Sequence, residues 1–224
     1  MVVMLKYIVG AVAIIAVLGG AYYVLLMPKS GAPAQETVTP AAQTGAMATS
    51  TYATSTYSIV YPADYTKDEM YAYDQFGPEK LIHGVKFTVP EMMATGTTLA
   101  ADSYVAVEQL PRAKNCTADI YIKQDVKAVA FTEDGIGYSV ATTSEAAAGS
   151  VYEEMVYALS GSSPVGSSPC TAVRYMIHST NIASYEPGTV QEFNRDQLLS
   201  AFDTIRRSLH LNQTMPSSDS AMQP

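Results

Sequence analysis

The sequence predicts an α+β chain: an N-terminal transmembrane helix, a flexible linker, and one antiparallel β-sheet domain packed by helices, including a C-terminal amphipathic helix. Three observations carry that reading. The chain is uncharged and strongly apolar from Tyr7 to Met27 (YIVGAVAIIAVLGGAYYVLLM). Several later stretches alternate apolar and polar residues, the period of a half-buried strand. Residues 191–209 instead repeat their apolar residues at helical spacing.

The elements follow in order. A helix over residues 7–27 is roughly 30 Å long, the thickness of a bilayer's hydrocarbon core. Lys6 and Pro28-Lys29 bound the run, and Tyr22 and Tyr23 lie near its far interface. It reads first as a single-pass anchor. The second reading is a secretory signal cleaved after Ala34, since Ala32-Pro33-Ala34 has the small residues such a site uses. Residues 28–56 are mainly Ala, Thr, Ser, Gln, Pro and Gly, too poor in large apolar groups to offset their ordering entropy, and read as a spacer.

The domain is expected over residues 57–211, followed by a disordered tail, 212–224. Tyr57, Ile59 and Tyr61 share one face of an opening strand that Pro62 ends. Val85, Phe87 and Val89 alternate with Lys86 and Thr88, the pattern of a strand with one wet face. Residues 103–110 form another strand, and 113–123 a short helix. Strands at 126–132 and 136–142 meet at Glu133-Asp134-Gly135, a hairpin turn. Residues 144–149 connect to a further pair, 151–159 and 172–179, around the turn-rich loop 160–169. In the final helix Phe193, Leu198, Phe202, Ile205 and Leu209 form the apolar stripe, and Arg206 and Arg207 suit the C-terminal dipole.

Charge narrows the functional classes. The chain has 13 Lys and Arg against 21 Asp and Glu, a net −8. That balance argues against nucleic acid, whose phosphates need a basic footprint, and against lying on an anionic leaflet. Cys116 and Cys170 are the two cysteines. An even count in a translocated domain suggests a structural disulfide, with two buried thiols as the alternative. A disulfide also places the domain outside the cytoplasm.

Reactive constellations are sparse. His83, His178 and His210 show no metal-ligand spacing, so no metal and no cofactor is expected. Glu153 and Glu154 point to opposite faces of a strand, and whichever faces inward needs a cation, with Arg174 on the next strand as its partner. The 16 tyrosines, with no tryptophan, suit strands. Within the cluster Tyr57, Tyr61, Tyr65, Tyr71 and Tyr73, the residues Tyr65, Tyr71 and Tyr73 are the candidate recognition surface, because tyrosine combines a broad ring with a polar tip.

TYSIVYPADY near the start of the domain and FDTIRRSL near its end resemble the PsbP/Mog1-type α/β-sandwich domains. There an opening strand ends in Tyr-Pro, here Tyr61-Pro62, and a closing helix ends at Ser-hydrophobe, here Ser208-Leu209. The tryptophan that often follows Tyr-Pro is replaced by Tyr65, and the cysteine pair is not part of that pattern. Members of that family include photosystem extrinsic subunits, a small-GTPase-binding protein and many bacterial exported proteins, and the shared fold does not select among those roles. The expected function is a non-enzymatic, membrane-tethered extracytoplasmic domain that supports an envelope protein complex. Its partners would be the membrane, through residues 7–27, and an envelope protein, with no nucleic acid. The alternative is an envelope hydrolase with a site assembled around His178.

Overall fold

The structure, a computed structural model, describes residues 48–159 and 169–212. The apolar run 7–27, the first part of the spacer, the loop 160–168 and the tail from 213 lie outside the described residues. Among those described, no helix is long and apolar enough to cross a membrane.

The strands are β1 (Thr49–Ala53), β2 (Tyr57–Pro62), β3 (Thr66–Asp68), β4 (Ala72–Tyr73), β5 (Ile82–Thr88), β6 (Tyr104–Leu110), β7 (Val129–Glu133), β8 (Ile136–Ala147), β9 (Ser150–Leu159), β10 (Cys170–Thr180) and β11 (His210–Leu211). Two α-helices accompany them, the single turn α1 (Glu91–Ala94) and the longer α2 (Arg195–Arg207). The expectation of one antiparallel sheet packed by helices is therefore corrected. The domain is mostly β and contains two antiparallel sheets. The small sheet runs β1-β2-β11, and the large one β3-β5-β6-β10-β9-β8-β7, with β4 beside β5.

The reason is geometric. A single helix covers only part of a sheet this wide, so a second sheet covers the rest. Tyr57, Ile59 and Tyr61 of β2 and Leu198, Phe202 and Ile205 of α2 pack in one core with Val85, Phe87, Val105, Val107, Val173 and Tyr175 of the large sheet. Tyr61 and Phe87 meet ring to ring, with centroids 4.3 Å apart. The Ser208 hydroxyl accepts from the Val60 N–H at 2.8 Å and fixes the end of α2 to β2.

Other differences from the sequence reading are local. Thr49–Ala53, read as spacer, forms β1 by main-chain pairing with β2. Residues 144–147, read as a connection, extend β8. They pair with β9 up to Ala147↔Ser150, leaving the two-residue turn Ala148-Gly149 with φ of 51° and 85°. The expected turn after Glu133 is the same type: Glu133 pairs Ile136, and Asp134 and Gly135 have φ of 51° and 78°. The helix begins at Arg195, later than 191, because Asn194 caps it, its side chain accepting from the Gln197 N–H at 3.0 Å. The helix expected at 113–123 shrinks to a 3-10 turn, Ala118–Tyr121.

Candidate functional site

Period-two alternation divides the large sheet into a helix face, described above, and an opposite face. On the opposite face stand Ala106, Ala141, Val156, Ala158, Cys170 and Ala172, nearly all small. Small side chains let an irregular layer, residues 111–128, lie close to the sheet, and Ala118, Tyr121 and Ile122 are buried there. Cys116 of that layer is disulfide-bonded to Cys170 of β10, with Cα atoms 5.2 Å apart, as the sequence suggested. The Tyr121 hydroxyl donates to the Cys170 carbonyl at 2.6 Å, and the Ala118 N–H to Ser139 Oγ at 3.0 Å.

Beneath this layer lies a buried ion cluster. Arg174 on β10 and Glu108 on β6 are both fully buried. They are joined by two bonds, Nε to Oε1 at 2.6 Å and Nη2 to Oε2 at 2.9 Å. Arg174 Nη1 donates to Glu154 Oε2 at 2.7 Å, and Nη2 also donates to the Tyr121 carbonyl at 2.7 Å. A pairing of Arg174 with either Glu153 or Glu154 was legible in the sequence, and the structure selects Glu154. Glu108, the nearer partner, was hidden by the apolar run around it. Its signal was one acid inside a strand otherwise buried on both faces.

Tyr71 and Tyr73 belong to this cluster. The Tyr73 ring lies over the Arg174 guanidinium, 3.6 Å from it, and its hydroxyl reaches both Glu154 oxygens at 3.1 Å. The Tyr71 hydroxyl donates to Glu108 Oε1 at 2.9 Å. Tyr65 sits across the sheet, in the helix-face core, its hydroxyl 3.9 Å from Met93 Sδ. All three rings are buried. The candidate recognition surface of Tyr65, Tyr71 and Tyr73 is therefore corrected: these rings are core groups divided between two faces. Sequence adjacency in an irregular segment does not fix a common face.

The electrostatics follow from burial. Burial raises the Glu154 carboxyl above the ordinary carboxylate range, against the pull of Arg174 and the Tyr73 hydroxyl. Burial lifts the Tyr71 phenol far above its usual range, and the nearby Glu108 adds to the shift. Burial also opposes the charge on Arg174, but Glu108 outweighs it, so the guanidinium stays protonated. One cation thus faces two carboxylates.

Glu154 carries this cluster to the surface. A cleft of about 670 Å³ is lined by Tyr73, Gln124, Glu145, Tyr152, Glu154 and Met176, among others. Gln124 of the disulfide-fastened layer donates to Glu145 Oε1 at 2.7 Å, closing one wall. Two carboxylates between tyrosine rings and a thioether form a receptacle for a cationic group.

His178 lies beside this cleft. Its Nδ1 is 2.8 Å from Asp102 Oδ1, and its ring stacks on Tyr152 at 4.3 Å between centroids. Nε2 is buried with no hydrogen-bond partner among the described residues, so none of those presents a nucleophile to it. Among the described residues, no group of His, Cys, Asp or Glu is arranged to hold a metal ion. No protein-family model matches the chain, and no curated protein matches it significantly.

Proposed function

We propose that this chain is a single-pass membrane protein whose domain lies outside the cytoplasm and binds a basic side chain of an envelope protein partner, without catalysis. The observation that carries the binding role is the acidic, tyrosine-walled cleft whose wall is held by the Cys116–Cys170 disulfide. A disulfide persists in oxidising compartments, which supports the extracytoplasmic side. The apolar run 7–27 supports the anchor, with a chain secreted after cleavage at Ala34 as the second topology. His178 is paired with Asp102 and covered by Tyr152, so it lends the hydrolase reading no catalytic set.

Cross-linking in native membranes tests the binding role. Glu145→Gln and Tyr152→Ala alter the cleft while leaving Arg174 and Glu108 in place. Recovery of the cross-linked partner is expected to fall roughly tenfold, equivalent to about 1.4 kcal/mol, and to weaken as salt is added. Recovery that is unchanged in both variants removes the cleft from the proposal.

A further inference from the structure

The large sheet ends in an edge unlike the others in the molecule. β3 at its opposite end has three residues and carries Lys67 and Asp68. The outer strands of the small sheet are the polar β1, TSTYA, and the two-residue β11. Short, charged or polar edges resist pairing with other chains. β7 reads Val-Ala-Phe-Thr-Glu, pairs only with β8 among the described residues, and is exposed along most of its length. Val129 is 59% and Phe131 39% accessible, an unusual placement for such side chains.

These two residues continue rows that are buried farther in. Val85, Val107, Val173, Tyr157 and Val140 stand successively opposite one another across five strands, and Val129 is the next member. Leu159, Tyr138 and Phe131 form a second row. A further strand beside β7 would extend both rows and cover their exposed ends.

We propose that this further strand is β7 of a second copy, paired antiparallel with Ala130 opposite its own counterpart. Main-chain geometry fixes the parity. In a two-residue hairpin the residues flanking the turn, Glu133 and Ile136, bond each other, so Glu133, Phe131 and Val129 direct their polar groups toward β8. Ala130 and Thr132 then direct theirs outward. An antiparallel mate must match outward residues with outward residues, and centring the pair on Ala130 does so for Ala130 with itself and Thr132 with Ala128.

The same register is complementary in shape. Val129 falls opposite Phe131, a favourable aromatic–β-branched cross-strand pair, and the two-fold axis makes it twice. Two large sheets would join into one continuous sheet across the axis.

The test is the protein mass of the full chain in detergent micelles, measured by light scattering with the detergent contribution subtracted. The wild type is expected at twice the chain mass. Ala130→Pro removes an outward N–H without touching the β8 ladder, and Val129→Lys places a charge in the joint; both are expected at the single-chain mass. A cooperative thermal unfolding transition retained by each variant reports that the domain is folded. Ala130→Cys is expected to give a covalent dimer on oxidation, because the two Cα atoms would stand about 5.5 Å apart, within disulfide reach. Thr132→Cys is expected to give none. A monomeric wild type, a dimer that survives Ala130→Pro in folded protein, or equal cross-linking at positions 130 and 132 overturns the proposal.

Discussion

The two faces of the large sheet meet the same burial requirement in different proportions of apolar and ionic contact. The helix face is covered by regular elements, α2 and β2, through Phe202, Ile205, Ile59 and Tyr61. The other face is covered by an irregular layer fastened by a disulfide and seated on alanines. The first is stabilised mainly by apolar area, which tolerates substitutions of similar volume, together with one buried cation, Arg206, that donates to the Tyr175 hydroxyl and pairs with Asp203 and Glu133. The second holds Arg174, Glu108 and Glu154 in one network, where every member depends on the others. The cleft opens on the second face, beside Glu154.

The largest expected effect distinguishes these two kinds of core. Arg174→Met leaves two carboxylates buried without their cation and is expected to destabilise the domain by about 3–5 kcal/mol, read by denaturant unfolding. Phe202→Ala on the helix face is expected to cost a similar amount, about 3–5 kcal/mol, as a cavity. The two differ in rescue. Adding Glu108→Leu and Glu154→Leu to Arg174→Met is expected to recover most of the loss, because a well-packed apolar set can replace a buried ion network. Absence of rescue would make the network irreplaceable by packing.

Next in size is the disulfide. Cys116 and Cys170 are separated by 54 positions in sequence, and by loop-closure entropy the paired Cys→Ser variant is expected to lose roughly 4 kcal/mol. Proteolysis is expected to open residues 111–128 before the helix face. Cleavage that begins at α2 instead would contradict the division between the faces.

Smaller effects sharpen the contrast. The folded-state pKa of Glu154 is raised, so the folded domain binds a proton that the unfolded chain has already released at the same pH. Stability from this group is present below the ordinary carboxylate pKa and is lost as pH rises through the folded value. Glu154→Gln is expected to flatten this fall in a pH series of unfolding curves, whereas Phe202→Ala leaves it intact. Smallest is the turn between β8 and β9. Ala148 holds φ of 51°, a conformation that glycine adopts without strain, and Ala148→Gly is expected to raise stability by up to about 1 kcal/mol.

The same division explains what the sequence disclosed. On the helix face the signals were periodic: Val85, Phe87 and Val89 by twos, Leu198, Phe202 and Ile205 by threes and fours. Those patterns placed the strands and the final helix within a few residues. The turn at Asp134-Gly135 was legible because few residue pairs accept two positive φ angles. The small sheet was half hidden, since β1 is held by main-chain bonds and its Thr-Ser-Thr-Tyr-Ala leaves no apolar period. The extension of β8 was masked by Ser-Glu-Ala-Ala-Ala, a composition that favours helix and is overridden by pairing with β9.

The disulfide was legible from cysteine parity, and a bond from Arg174 to one of Glu153 and Glu154 from strand alternation. The layer that makes the cleft was not, because residues 111–128 fold by covering alanines and by long-range bonds to Cys170, Ser139 and Arg174. The tyrosines were misplaced for the same reason. Tyr71 and Tyr73 were read as a surface, but each has a phenol directed at a buried carboxylate supplied from elsewhere in the chain.

The proposed arrangement is an extracytoplasmic domain with an oxidised layer behind a membrane anchor. The most direct test is the intact mass of the protein from native membranes, alkylated with and without prior reduction. The full-length mass is expected, with two alkyl groups added only after reduction. Alkylation of Cys116 and Cys170 without reduction would contradict it, and a chain beginning at Gln35 would replace the anchor with a cleaved signal.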